Sequence, residues 1–487
     1  MIPQTKVTKL NGNTGTIKPG AKGIHAIIAP SSAGTANQPQ GVSKVSIAQA
    51  SFGGGMLVEA AAYIMAASGN PVVMIKGTAT TAGTNSAVVK VGTGTSVITA
   101  TGVPIDDYNV LVTWVNGGTQ GIAGITYKIS LDGGNTYGPV TALGVAVTLA
   151  LNVGTITTGV SLALAAGTIV TGDTAAVVCT GPRMTTSDIT TALEALRTSS
   201  LPWEMVVVLG HDAIGTTVTA LDAWLALREA EGRFRGFICN NAFRGVATEA
   251  AYLTAQQTTW AGVASIRGLV GADGGDLVSV LPGNSLTQKR PTALAVAGRV
   301  AKVNYGVDPA YVSDGPVPGF ALADARGNPN NHDENLYPGL DAIKLCTLRT
   351  FDRRAGTFIT GANVISSDGS DFVWVQHIRT MNRGCEIAFD TLTSQLSRGV
   401  GKNPKTGPSG EVYIAEEDAQ RIEALVNQNL TELRGQVSDL LFTLSRTDNI
   451  GANGPVVLNG ELKVSSLAYV KEFDVNASFV RTITVQQ

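Results

Sequence analysis

The chain has 487 residues, is nearly balanced in charge (35 Lys and Arg against 37 Asp and Glu), and only 15% of it is charged. That balance excludes a polyanion-binding field, and so few charges on a chain long enough for several domains point to a surface largely covered by other protein. Cys179, Cys239, Cys346 and Cys385 are scattered without CxxC or metal-ligand spacing, which indicates buried thiols in a reducing compartment. The polar stretch Met1–Leu10 lacks the apolar core of a secretory signal, and Val140–Val153 is too short to span a bilayer, so no membrane insertion is expected.

In chain order, residues 1–20 hold one short strand pattern, Thr5–Leu10, before turn-rich Asn11-Gly12-Asn13, and read as an arm. An apolar run from Gly23 to Ala29 suits a buried strand. A helix is expected from Met56 to Ala67, stopped by Gly69-Asn70, and a second strand over Pro71–Ile75. Composition changes at Gly77. From there to Gly181 the chain is rich in Thr, Gly and Val, with strands over Ala87–Val91, Asn109–Val115 and Thr126–Leu131 and a hairpin signal at Asp132-Gly133-Gly134-Asn135. No helical period interrupts it, which predicts an inserted all-β domain over 77–181.

Helical spacing returns at Ile189, Leu193 and Leu196. Strands over Met205–Leu209, Gly236–Cys239 and Ser265–Val270 then alternate with helices over Val218–Ala230 and Thr248–Thr258. This alternation predicts a mostly parallel sheet, so residues 21–76 and 182–335 form one α/β domain split by the insertion. Arg290–Val303 reads as a further helix, and the Gly-, Pro- and Asn-rich residues 304–336 as a linker or interface loop.

Chemistry is sparse. Gly210–Thr217 has GxxxxG spacing between strand and helix, but Thr216 stands where a phosphate-binding lysine is required. His332-Asp333-Glu334 lies in a polar loop, where three consecutive side chains do not converge on one ion, and Asp273-Gly274-Gly275-Asp276 lacks the rest of a calcium loop. Cys239 sits on an apolar strand, and the few aromatics are not clustered with basic residues. The expectation is therefore no catalytic residue, no metal, no cofactor and no direct nucleic-acid contact.

Residues 336–473 predict an α+β module. Strands over Cys346–Phe351 and Thr357–Ile359 flank Asp352-Arg353-Arg354-Ala355-Gly356, and Asn363-Val364-Ile365-Ser366 and Asp368-Gly369-Ser370-Asp371-Phe372 lead into a helix holding Val375, Ile378, Arg379 and Met381. A basic loop from Arg398 to Gly410 precedes an amphipathic helix with Ile422, Leu425, Val426, Leu430, Leu433 and Val437 on one face. Glu416, Glu417 and Asp418 in its first turn complement the helix dipole. Strands over Leu440–Thr447 and Glu461–Phe473 follow. From Asp474 to Val485 the residues alternate: Val475, Ala477, Phe479, Ile483 and Val485 on one face, Asp474, Asn476, Ser478, Thr482 and Thr484 on the other. An amphipathic strand at a terminus is a hazard unless something pairs with it, so 474–487 reads either as the last strand of the chain's own sheet or as an arm donated to a neighbour.

This order of segments resembles the module of contractile-tail sheath proteins of bacteriophages and related injection machines. The resemblance rests on the Asn-Val-Ile-Ser segment, the Asp-Gly-Ser-Asp-Phe lead into an Arg-bearing helix, the late helix and the terminal arm. It covers the last third of the chain well, the α/β part loosely and the insertion not at all. It implies a helical homo-oligomer of hexameric rings around a tail tube, contacting baseplate and tail terminator proteins in a virion assembled in the host cytoplasm. It further implies intersubunit arms, to which Thr5, Val7, Leu10, Val475, Phe479, Ile483 and Val485 would belong, and a tube-facing loop, for which Lys402 and Lys405 are the candidates. The alternatives from other classes are an α/β or nucleotide-binding enzyme using Gly210–Thr217, and a non-contractile virion or surface-array protein.

Overall fold

The computed structural model describes residues 21–211, 215–323, 331–396, 405–408, 410–451 and 457–471. The alternation of apolar runs with helical segments is realised in a six-stranded sheet of β1 (His25–Ala29), β2 (Gln40–Val42), β3 (Val72–Lys76), β4 (Met205–Val208), β5 (Gly236–Asn240) and β6 (Gly268–Gly271). Their spatial order is β6-β5-β4-β1-β3-β2, and every pair is parallel except the β2 edge. Six helices accompany it: α1 (Val45–Phe52), α2 (Met56–Ser68), α3 (Thr186–Arg197), α4 (Gly215–Ala230), α5 (Glu249–Trp260) and α6 (Thr292–Lys302).

Burial on both faces accounts for the apolar runs. Ile27, Met74, Met205, Val207 and Ile238 share a core with α2 and α6, while Ala26, Ile28, Val73, Val206, Val208 and Phe237 share the other with α3, α4 and α5. Gly298 lets α2 and α6 approach, because a Cβ there would stand 2.6 Å from the Tyr63 ring. Thr185 caps α3 through a reciprocal pair with Asp188.

One expectation is corrected here. Arg290 belongs to a strand, Thr287–Pro291, which pairs with Gly274–Val278, and the helix begins only at Thr292. Within 304–336, expected as a linker or interface loop, Phe320–Ala321 adds a third strand to that sheet, and Val317, Phe320 and Leu322 are buried in the core.

Between β3 and α3, the strands from Thr84 to Thr180 pair only with one another among the described residues. Tyr108–Asn116 lies between Thr126–Ser130 and Thr174–Thr180, and its inward residues Tyr108, Val110, Val112 and Trp114 alternate with exposed or half-buried ones. The Asp132 turn is built as the sequence suggests. Its carboxylate accepts from Ser130 Oγ at 2.7 Å and from the Thr136 amide and hydroxyl at 2.8 and 2.6 Å, with Gly133 and Gly134 at positive φ.

After α6 the chain returns to the central core through Cys346, Leu348 and Ile359, the last two from the hairpin Leu348–Phe351 with Arg354–Ile359. α7 (Val375–Thr393) then leads to a separate, smaller core of Tyr305, Ile387, Ile414, Ile422, Val426, Leu430, Leu433, Phe442 and Leu444. The late helix is shorter than its apolar stripe. α8 spans Glu416–Asn429, a 3-10 turn covers Leu430–Leu433, and Val437 is buried beyond the helix.

Candidate assembly surface

α7 joins the two cores. Val375 sits in the central core, whereas Ile387 sits in the small one. Arg379, only 1% exposed, pairs with Glu204 at 2.5 Å and donates to the carbonyls of Val303 and Asn304. Burial alone would raise the Glu204 pKa, but the charge and hydrogen bond of Arg379, with His25 and the Gly23 amide, together outweigh it and hold the carboxyl below its ordinary range. One turn on, Arg383 forms a bidentate pair with Glu432 at 2.9 and 2.6 Å on the small core's side. Arg235 also pairs with Glu386, so charged contacts as well as apolar packing set the angle between the two cores.

On the small core lies a hairpin, Asp439–Leu444 with Gly460–Ser465, in the register Leu441↔Lys463. Leu440, Phe442, Leu444, Leu462 and Val464 face inward. Gly384 on α7 admits them, with Leu462 and Val464 within 4 Å of the position its Cβ would take. The outer edge of Asp439–Leu444 is held by α8. The Phe442 amide donates to Asn427 Oδ1 at 2.8 Å, Asn427 Nδ2 donates to the Phe442 carbonyl at 3.0 Å, and the Leu444 amide donates to Glu423 Oε1 at 2.7 Å. Glu423 is steadied by Arg446, whose bonds keep its carboxyl below the usual range.

Both ends of the described chain converge on the segment after α6. Lys22 Nζ bonds Asn304, and the Gly23 amide donates to Glu204 at 2.6 Å. At the other end Tyr469 donates to the Gly306 carbonyl at 2.7 Å, packs edge-on against Trp374 at 5.8 Å between ring centroids, and lies beside His377. Lys471 bonds Asp308 and stands over the Trp374 ring. Gly306 is required there, because a Cβ would meet the Gln436 carbonyl at 2.0 Å.

Of the residues singled out in the sequence, Thr5, Val7, Leu10, Val475, Phe479, Ile483, Val485 and Lys402 lie outside the described residues. Lys405 is 67% exposed on a short strand paired with Val412–Tyr413, 3.9 Å from Glu416. The Tyr469, Trp374 and His377 cluster escaped sequence reading, since its members stand up to 95 positions apart with no shared period. At Gly210–Thr217, residues 212–214 lie outside the described residues, and the Thr217 hydroxyl is bonded to that of Thr186 at 2.8 Å. Cys239 is buried, which pushes its thiol up. His332 is buried, and its ring nitrogens meet Glu249 at 2.8 Å and Glu334 at 2.9 Å. Among the described residues no three His, Cys, Asp or Glu side chains are grouped to hold a metal ion.

No curated protein sequence matches the chain. Among solved structures, it is similar to a chain of the sheath complex of PVC, an extracellular contractile injection system, in the contracted state. That match has 10% identity and a TM-score of 0.54, covering 99% of this chain and 98% of the other. It is also similar to a chain of the six-fold symmetrised baseplate of the anti-feeding prophage, at 9% identity and a TM-score of 0.51 over 98% and 99% of the two chains. A sheath tail protein from Listeria innocua aligns at 12% identity with a TM-score of 0.45, over 92% of this chain and 96% of the other. The first two likenesses run end to end, so the fold is the one found in contractile injection machines, as the C-terminal segments suggest. Over residues 2–363 the sequence matches the family described as "DUF2586, N-terminal domain", and the chain belongs to that family.

Proposed function

We propose that the chain is a structural subunit of a contractile sheath, which polymerises around a tail tube and contracts to drive the tube through a cell envelope. The observation that carries this reading is the end-to-end likeness to a sheath-complex chain, 99% of one and 98% of the other. The low charge and the alternating terminal segments support it, since both suit a chain whose surface and ends are covered by its own copies.

In this reading residues 21–76 with 182–335 form the split α/β unit, and 77–181 form an inserted β domain that decorates the outside. Residues 336–473 form the polymerising module, and 1–20 and 474–487 are arms that pair with neighbours. The partners are further copies in hexameric rings, a tube protein, and baseplate and terminator proteins. Energy is stored as a difference in intersubunit burial between two lattices, with no nucleotide consumed.

Electron microscopy of the purified chain, alone and coexpressed with its tube protein, tests this. Expected are tubes of stacked six-subunit rings in two lattices, one longer and narrower than the other. Rings or sheets of a single lattice under every trigger would indicate a non-contractile assembly instead.

A further inference from the structure

The chain order of the central sheet reverses at β1. Its neighbours β3 and β2 lie on one side, and β4, β5 and β6, reached later in the chain, lie on the other, so β1 and β4 flank a topological switch point. In open α/β sheets, the crevice outside the carboxyl ends of the strands at such a point is where small molecules bind. A cavity of about 240 Å³ lies there, beyond the ends of β4 and β5, with Met56, Asp107, Arg183, His211, Asn240 and Phe243 in its wall. Asp107 comes from the inserted segment and the others from the central domain, so both build the cavity.

Its polar groups are unevenly used. Asp107 and Arg183 neutralise each other at 2.8 Å, and Asn241 is occupied by Gln256 and the Ala242 amide. Asn240 Nδ2 donates to the His211 carbonyl at 2.9 Å, which ties the ends of β4 and β5 together. Asn240 Oδ1 has no partner among the described residues, and neither ring nitrogen of His211 makes a hydrogen bond, although the two residues are only 7% and 2% exposed. Burial brings the His211 pKa down to about 4, helped by the Arg183 charge and opposed in part by the Val208 carbonyl, so the imidazole is neutral at pH 7. A neutral ring carries one donor and one acceptor. Buried polar atoms without partners are costly and rare, and three of them in one cavity wall call for a partner from outside the chain.

The geometry points to a binding site, at this switch point, for a small neutral nitrogen heterocycle of the class that includes nucleosides and nicotinamide, recognised by His211 and Asn240. Three features select that class. The two ionic side chains of the wall cancel, which disfavours a phosphate or a free cation. The unused atoms are two acceptors and one donor, which match adjacent amino and carbonyl groups on a heterocycle's edge. Met56 and Phe243 offer apolar surface to the rest of the molecule. The volume equals that of about eight waters at about 30 Å³ each, room for one such ring system but not for a dinucleotide. Because Asp107 shares the wall, occupancy would fasten the inserted segment to the central domain. This goes beyond the sheath reading and does not depend on it.

Adenosine, guanosine, cytidine, uridine and nicotinamide, each titrated into the full-length chain by calorimetry, test this. At least one should bind saturably, and neither ribose nor inorganic phosphate should displace it. His211→Phe, which keeps a ring and removes its nitrogens, and Asn240→Leu should each weaken that binding by about tenfold or more, with folding checked by thermal melting. Independently of any variant, an azido derivative of the tightest binder, 8-azidoadenosine for adenosine, should on irradiation label the peptides holding Met56, His211 or Asn240–Phe243 of the unmutated chain. Binding by none of the probes, the result expected of a cavity that holds ordered water only, overturns the inference. So does binding unaltered in either folded variant, displacement by phosphate, or a photolabel elsewhere. His211→Phe should still form tubes, so a failure here leaves the sheath reading standing.

Discussion

Arg290 and Asp106 face each other across the junction between the β-rich segment and the central domain, bonded at 2.9 and 2.7 Å and only 1% and 6% exposed. Burial alone would lower the Arg290 pKa, but the charge and hydrogen bond of Asp106, with the charges of Glu59 and Asp107, together outweigh it and the guanidinium stays charged. Gln288 extends the contact, accepting from Arg290 and donating to the Asp107 carbonyl at 2.7 Å. Glu59 lies in the same charged pocket, its carboxyl pushed up by burial against the pull of Arg290.

This pair decides what removing residues 77–181 would do. Removing one partner of a buried ion pair costs about 3–5 kcal/mol, whereas replacing both by apolar groups is close to neutral. Asp106→Ala should therefore lower stability by about that amount in urea unfolding, and Asp106→Leu with Arg290→Met should recover most of it. Replacing 77–181 by a Gly/Ser linker should destabilise the remainder similarly unless Arg290→Met accompanies it. With that change the remainder should fold and polymerise. A folded remainder that no longer forms polymer would assign the inserted segment to the lattice.

His332 gives a pH dependence with a definite sign. Burial lowers its pKa, but the bonds to Glu334 and Glu249 outweigh that and raise it above its ordinary value. Around it stand Arg244, paired with Glu249 at 3.3 Å, Tyr252, and Asp273, which accepts the His332 amide at 2.7 Å. A raised folded pKa means the contribution is complete below the unfolded value, about pH 6.5, and fades as pH climbs through the folded value. Urea midpoints should therefore fall as pH rises above about 6.5, and His332→Gln should flatten that fall. An unchanged slope in the variant would assign the dependence to other groups.

What the sequence disclosed and what it hid divide along physical lines. Strands buried on both faces show as apolar runs, so β1, β3, β4 and β5 could be read directly, as could the Asp132 turn with its fixed glycines. The strand Thr287–Pro291 could not, because Thr-Gln-Lys-Arg-Pro is polar and its burial depends on Asp106, a partner 184 positions away. α1 has no side-chain cap, and β2 is a three-residue edge, too short to show a period. At the assembly surface the alternation of 474–485 could be seen. The anchor at Gly306, Trp374 and Tyr469 depends on tertiary approach, and Asn427 looks like any polar helix residue until the strand beside it is placed.

Lys405 is exposed and has little to hold it within the subunit. Its 3.9 Å approach to Glu416, with both side chains well exposed, contributes little, since exposed pairs are worth about 0–1 kcal/mol and Glu416 already bonds Arg446. Lys402→Glu with Lys405→Glu should leave unfolding unchanged within about 0.5 kcal/mol but reduce assembly around an acidic tube at low salt, with the difference vanishing at high salt. Unchanged assembly at low salt would locate the tube contact elsewhere.

Deleting residues 474–487 separates an intersubunit arm from an internal strand. The deletion spares Tyr469 and Lys471, so the root at Gly306 and Asp308 remains and the small core keeps its described contacts. If the segment serves a neighbour, Phe479, Ile483 and Val485 contribute about 1.5–3 kcal/mol each to a junction and nothing to the isolated chain. The truncated chain should then melt within a few degrees of the intact subunit, sediment as a monomer and form no tubes. If the segment instead completed its own sheet, truncation would bare a core face, and the monomer itself would melt early or aggregate. Thermal melting and sedimentation of this one truncated protein decide between the two, and a destabilised monomer sinks the arm.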